Sequence, residues 1–169
     1  MNNYFFLHTP HFTKIPGRVP LSEFSTLDSA IEEKTYYIVR TGGGTLKVLV
    51  CDDDAKNRSL LKEALNLLKC QAIEAANGAD GIALTKQEKP DIILMDHTMP
   101  DMMGYEAIKE IRKEPGFENI PFVMITGDFE VQALVEQDKL EHCAFLPKPY
   151  GIDQLTATME LALGKPLSP

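Results

Sequence analysis

Three things are scarce in this chain of 169 residues, and each scarcity closes off a class of function. Long apolar runs are missing: no stretch approaches the ~18 residues that a helix needs to cross a bilayer, so a membrane association of that kind is excluded. The first residues also lack the basic start and continuous apolar core of a signal peptide. Basic charge is in deficit, with 17 Lys and Arg against 25 Asp and Glu and a net charge of −8. Nucleic-acid phosphates are bound by a Lys/Arg surplus, so nucleic acid is not an expected partner. Cysteine is down to three residues, Cys51, Cys70 and Cys143, an odd number with no CxxC spacing. That argues against a disulfide framework or a zinc site and fits reduced thiols in the cytoplasm. His142 next to Cys143 makes no metal pair either, because no third or fourth ligand is near in sequence.

What remains is ordinary globular material, 44% apolar and 25% charged, enough for one domain with a real core and some surplus. The surplus is at the front. Residues 1–46 hold several prolines and no steady hydrophobic period, and are expected to be an irregular N-terminal extension or linker. Within it SEFSTLDSAIEE could form a short helix and TYYIVR a short strand, and TGGGT (41–45) reads as a flexible linker. These residues carry four basic and four acidic side chains, so the whole negative excess sits in 47–169.

From Lys47 the pattern is regular. The predicted strands are LKVLVC, CQAIEA, DIILM, IPFVMI and CAFL. The predicted helices are RSLLKEALNLLK, with Leu60, Leu61, Ala64, Leu65 and Leu68 on one face, then GADGIALTKQE, GYEAIKEIRKE, FEVQALVEQDKLEH and IDQLTATMELAL. Five βα units at spacings of about 20–30 residues imply an α/β domain over 47–169, with a parallel sheet covered by helices on both faces.

The stretch VLVCDDDAKN drives a buried strand into three consecutive acids, Asp52, Asp53 and Asp54. Asp54 reads as a helix cap. Asp52 and Asp53 repel one another unless a cation or a charged group resolves them. The other strand ends deliver Asp96, Thr126 and Lys148, and only the second strand ends in nothing reactive, Ala75-Ala76. In a doubly wound, flavodoxin-like sheet of order 2-1-3-4-5 the second strand lies at the edge. The other four border the crevice at the carboxyl ends, where such sheets bind ligands. Asp52, Asp53 and Asp96 are hard oxygen ligands suited to Mg²⁺. A carboxylate can act as a nucleophile toward phosphorus, and Lys148 and the Thr126 hydroxyl can meet phosphoryl oxygens.

With these residues in order, 47–163 resembles the receiver domain of two-component response regulators. The resemblance is carried by VLVCDDD, ILMDHTMPDMMG, VMITG and FLPKP. It implies that Asp96 accepts a phosphoryl group from a histidine kinase or histidine phosphotransfer protein. Asp52, Asp53, Asp96 and the Thr98 backbone carbonyl would hold Mg²⁺. Thr126 and Lys148 would contact the phosphoryl group, with Gly127 leaving room beside it. Thr126 and Phe145 would be the switch pair, and Lys148-Pro149 a cis peptide. The implied partners include a downstream output protein or domain and a homodimer formed on phosphorylation. Such a domain catalyses only its own phosphorylation and dephosphorylation, and is not otherwise an enzyme.

Departures from the pattern are Met103, where an acid commonly precedes Gly104 and its loss is expected to weaken the cap of the third helix, and Glu141-His142 in place of small residues after the fourth. His97 reads as a solvent-facing loop residue. Two alternatives remain: a receiver-like protein-binding module that does not use phosphorylation, and a haloacid-dehalogenase-like phosphatase. The first sits uneasily with an intact set of reactive positions. The second needs a further acidic pair after the lysine, where only Asp153 follows.

Overall fold

The computed structural model describes residues 45–128 and 130–167, together with the backbone of 19–20 and 37–38. The chain divides into two units, Met1–Gly43 and Gly44–Pro169. In the first, Val19–Pro20 pairs antiparallel with Tyr37–Ile38, which lies inside the predicted TYYIVR strand. The helix expected over SEFSTLDSAIEE lies outside the described residues.

The second unit is a five-stranded parallel sheet of β1 (Lys47–Cys51), β2 (Gln71–Ala75), β3 (Ile92–Asp96), β4 (Phe122–Thr126) and β5 (Cys143–Pro147), in the order β2-β1-β3-β4-β5. Between and after the strands come α1 (Ala55–Leu67), α2 (Gly78–Glu88), α3 (Gly104–Arg112), α4 (Glu130–Gln137) and α5 (Ile152–Leu163). This is the expected doubly wound, flavodoxin-like α/β fold of order 2-1-3-4-5.

Strand side chains alternate between the two faces, so each central strand feeds two cores. Leu49, Ile93, Met95, Phe122 and Met124 pack with Ala107, Ile108 and Ile111 of α3 and Val131 and Val135 of α4. Val48, Val50, Ile92, Leu94, Val123 and Ile125 pack with Leu61 and Leu65 of α1 and Leu155 and Met159 of α5. Because both faces are covered, the three inner strands read as continuous apolar runs. Of the predicted α1 face, Leu61 and Leu65 are buried but Leu60 is 65% exposed. Leu60 lies beside the apolar stripe and not within it.

Helix boundaries differ from the sequence reading by more than two residues at two places. α1 begins at Ala55, three residues early, because Asp54 caps it by accepting a hydrogen bond from the Lys56 N–H at 2.8 Å. α4 stops at Gln137, well short of the predicted His142. There the chain closes in a Schellman-type turn: Lys139 takes a left-handed φ of 51° and the Leu140 N–H bonds to the Val135 carbonyl. His142, one of the two departures expected to shape this helix end differently, is left-handed as well, at 54°. The C-terminal end of α4 is tied to α3, where the Tyr105 hydroxyl donates to the Asp138 carboxylate and lies 3.2 Å from the Leu134 carbonyl oxygen. Lys109 closes the cluster, 3.0 Å from Asp138. At the start of α3, Met103 offers no side-chain cap, as expected, and Glu106 accepts from the Met103 N–H at 3.2 Å. All three cysteines are free thiols.

Lysine occupies the left-handed position after α1 (Lys69, φ 56°) and at the end of α2 (Lys89, φ 49°). A side chain there costs about 1–2 kcal/mol, which glycine would remove in exchange for a looser unfolded chain. Lys89→Gly is therefore expected to stabilise the domain by about 0.5–1 kcal/mol, read as a higher urea midpoint at unchanged slope.

Candidate functional site

Strand register sets the site before any side chain is considered. Cys51 stands opposite Met95, Asp96 opposite Ile125, and Thr126 opposite Pro147. The residues at or just past these ends, Asp52, Asp96, Thr126 and Lys148, are thus gathered on one edge of the sheet. β2 ends at Ala75 on the outside.

Asp52 is 1% exposed. Its Oδ1 accepts the Asp54 N–H at 2.8 Å, and the Asn57 side-chain amide reaches both of its oxygens, at 3.3 and 3.2 Å. The Arg58 guanidinium donates to the Asp52 and Asp53 carbonyl oxygens at 2.8 and 3.0 Å, pinning the turn. Burial pushes the Asp52 carboxyl above the ordinary carboxylate value. The Asp54 N–H opposes that rise, the Asp96 charge adds to it, and Lys148 and Asn57 oppose it. Asp53 is exposed.

Asp96, 4% exposed, accepts a hydrogen bond from Lys148 Nζ at 3.0 Å, and the same ammonium lies 3.9 Å from Asp52. Lys148 is delivered by the end of β5, and its peptide bond to Pro149 is cis. Tyr150 follows; burial first, then the charges of Asp52 and Asp96, push its phenol up to about 12. His97 is only 5% exposed, and its Nδ1 finds no partner among the described residues. The expectation of a solvent-facing loop residue is therefore wrong. The chain stays in sheet geometry one residue past β3, with the His97 N–H bonded to the Ile125 carbonyl, and so the side chain is drawn inward. The His97 carbonyl then accepts the Gly104 N–H at 2.8 Å, folding the β3–α3 loop back on itself. A Cβ at position 104 would stand 2.1 Å from the Asp96 carbonyl oxygen, so only glycine fits.

Thr126 is 7% exposed, and its hydroxyl accepts the Asp128 N–H at 2.9 Å, turned toward its own loop. Gly127 is exposed, with open space where a side chain would project. Phe145 is partly buried against the α3/α4 core, and Thr98 is exposed on the β3–α3 loop. Asp52, Asp53 and Asp96 each bring one carboxylate oxygen within 4.8 Å of the others. Three carboxylates facing one lysine leave an excess of negative charge, and an all-oxygen donor set fits a hard divalent cation such as Mg²⁺.

Sequence reasoning missed Asn57, Arg58, Tyr150 and the steric role of Gly104. Asn57 and Arg58 had a signal: both lie within a helical turn of a capping aspartate, where side chains reach back to the preceding loop. Gly104 had little, since its φ is unremarkable and only the packed loop shows why it is glycine.

An acid cluster facing a lysine across the carboxyl edge of a doubly wound sheet defines a class of phosphate-handling signalling domain. The family described as the response regulator receiver domain matches residues 48–160, and the chain belongs to it. Phosphorylation on an aspartate, with Mg²⁺, is the general function of that family. The chain is 31% identical over 117 residues to Protein PilH of Pseudomonas aeruginosa, covering 69% of this chain and 97% of PilH. It spans about half of longer curated relatives, such as 48% of the probable transcriptional regulator ycf27 of Porphyridium aerugineum. Among solved structures, chemotaxis protein CheY4 of Vibrio cholerae superposes with a TM-score of 0.64 at 26% identity, covering 69% of this chain and 98% of that one. The receiver domain of a Pseudomonas aeruginosa PAO1 sensor histidine kinase, solved with magnesium in its active-site cleft, shares the fold. Its TM-score is 0.62 at 22% identity, over 72% of this chain and 100% of that one.

Two expectations follow. A carboxyl raised in the folded state holds its proton at pH values where the unfolded chain has lost it, so metal-free stability falls as pH rises through the carboxylate range. Asp52→Asn should flatten that fall and make the metal-free protein more stable at pH 7, measured by denaturant melts across pH. Gly104→Ala should cost at least about 2–3 kcal/mol, because the new methyl meets backbone and not a yielding side chain.

Proposed function

We propose that this chain accepts a phosphoryl group on Asp96 from the phosphohistidine of a histidine kinase or phosphotransfer protein and relays the event by a change of surface shape. The reading rests on one observation above the others: a single ammonium, Lys148, stands 3.0 Å from Asp96 in a pocket that also holds Asp52 and Asp53. An Asp96 carboxylate oxygen attacks phosphorus, the P–N bond breaks, and its electron pair returns to the donor imidazole. Lys148 then balances charge on the phosphoryl oxygens. Asp52, Asp53, Asp96 and the Thr98 backbone carbonyl would hold a Mg²⁺ ion, which would supply the remaining charge neutralisation. Open space at Gly127 admits the group. Transfer to water in the same pocket returns Asp96 to its starting state, so the domain turns over only its own phosphoryl group.

Relay begins at Thr126. Its hydroxyl leaves the Asp128 N–H for a phosphoryl oxygen, and the space it vacates lets Phe145 turn inward. The surface of α4, β5 and α5 changes with it, for a downstream output protein or domain, or for a second copy of the phosphorylated chain. Cytoplasmic location accords with the free thiols.

The test is labelling by a small phosphodonor. Wild type should be labelled at Asp96 alone and only with a divalent ion present, and Lys148→Ala should slow labelling about 10²-fold. Thr126→Ala should still be labelled while the α4 and α5 resonances no longer shift. Label that persists in Asp96→Asn, or no label at all in wild type, would overturn the proposal in favour of a binding module that does not use phosphorylation.

A further inference from the structure

Asn57 does something no other described side chain does: its amide nitrogen lies within hydrogen-bonding distance of both carboxylate oxygens of Asp52, at 3.3 and 3.2 Å. The remaining contacts of that carboxylate are one-sided. The Asp54 N–H meets Oδ1, and Lys148 lies 3.9 Å from Oδ2. A donor placed between both oxygens fixes the plane of the carboxylate as well as its position. Being neutral, it does so without adding the positive charge that would repel a cation from the same carboxylate. The residue that sets the plane of Asp52 therefore sits on α1, a rigid element, one turn from the cap at Asp54.

Asn57 is half-buried and borders a groove of about 480 Å³ between α1 and the segment after β5, lined also by Leu60, Ile152 and Tyr150. An apolar side chain at 57 would find apolar neighbours there, so replacing the amide need not disturb the core.

We propose that Asn57 is a positioning residue of the metal site, holding the Asp52 carboxylate in the plane from which it meets a divalent cation together with Asp53 and Asp96. This rests on the reading of that cluster as a Mg²⁺ site. Partners of this kind, one bond removed from the metal, typically change affinity 10–100-fold when lost.

The experiment is calorimetric titration of Mg²⁺ into the full chain, paired with metal-free thermal melts. Wild type should bind saturably. Asn57→Leu and Asn57→Ala should melt cooperatively yet bind Mg²⁺ about tenfold more weakly or worse. Leu60→Ala, which alters the same groove without touching Asp52, should bind as wild type. A purely structural Asn57 would lower the melting temperature and leave affinity unchanged in both variants, and that result overturns the inference. Equal weakening in Leu60→Ala overturns it too, since groove packing would then be responsible. Failure of wild type to bind Mg²⁺ would instead overturn the metal reading underneath, and the inference with it.

Discussion

Two carboxylates lie side by side in the interior of this domain, and most of its local architecture answers that fact. Asp52 and Asp96 are each more than nine-tenths buried. An uncompensated buried charge costs several kcal/mol, and a like-charged neighbour makes it worse. The fold meets the cost with a small set of donors drawn from distant parts of the chain: a backbone N–H and a side-chain amide on Asp52, and an ammonium from the last strand on Asp96. The ammonium bridges 52 residues of sequence, so the pocket exists only when β3 and β5 are both seated against β4. That dependence makes the site a report on the integrity of the whole sheet.

The compensation is incomplete by construction. With one lysine facing three acids, the pocket retains negative charge of the kind that a small, hard cation offsets. The backbone around it leaves little freedom to relax the strain differently. Arg58 holds the acidic turn by its carbonyls, and Gly104 lets the loop after β3 press against Asp96. A site that could spread its charges apart would have no use for an ion; this one is prevented from spreading.

Much of this was legible in the sequence, for identifiable reasons. A parallel sheet buried on both faces writes itself as apolar runs ended by polar residues, so VLVCDDD, IILMD and FVMIT show both strand and site at once. The strand order of this fold class agreed with the one chemically empty strand end, which it places at the edge of the sheet. What could not be read depended on three-dimensional neighbours. His97 follows Asp96 in what looks like a loop, yet one further backbone hydrogen bond to β4 carries it inside. The end of α4 was obscured because DKLEH continues a helical composition, while the turn is made by lysine and histidine in conformations usually left to glycine. Gly104 looks like any helix-start glycine until the Asp96 carbonyl is placed against it.

The tie between Tyr105 and Asp138 has a mechanical consequence. It fastens α4 at its trailing end, while the leading end follows directly from the loop that carries Thr126. The far end of the helix is held differently, by the packing of buried Val131 and by the exposed hydrogen bond from the Glu130 N–H to Asp128 Oδ1 at 2.8 Å. Eight residues span about 12 Å, so a tilt of about 10° about Asp138 would carry that far end roughly 2 Å, a displacement large enough to remake or break a packed contact. The tyrosine thus marks the end about which a tilt of the helix would turn, and the end that such a tilt would carry is the one beside Thr126.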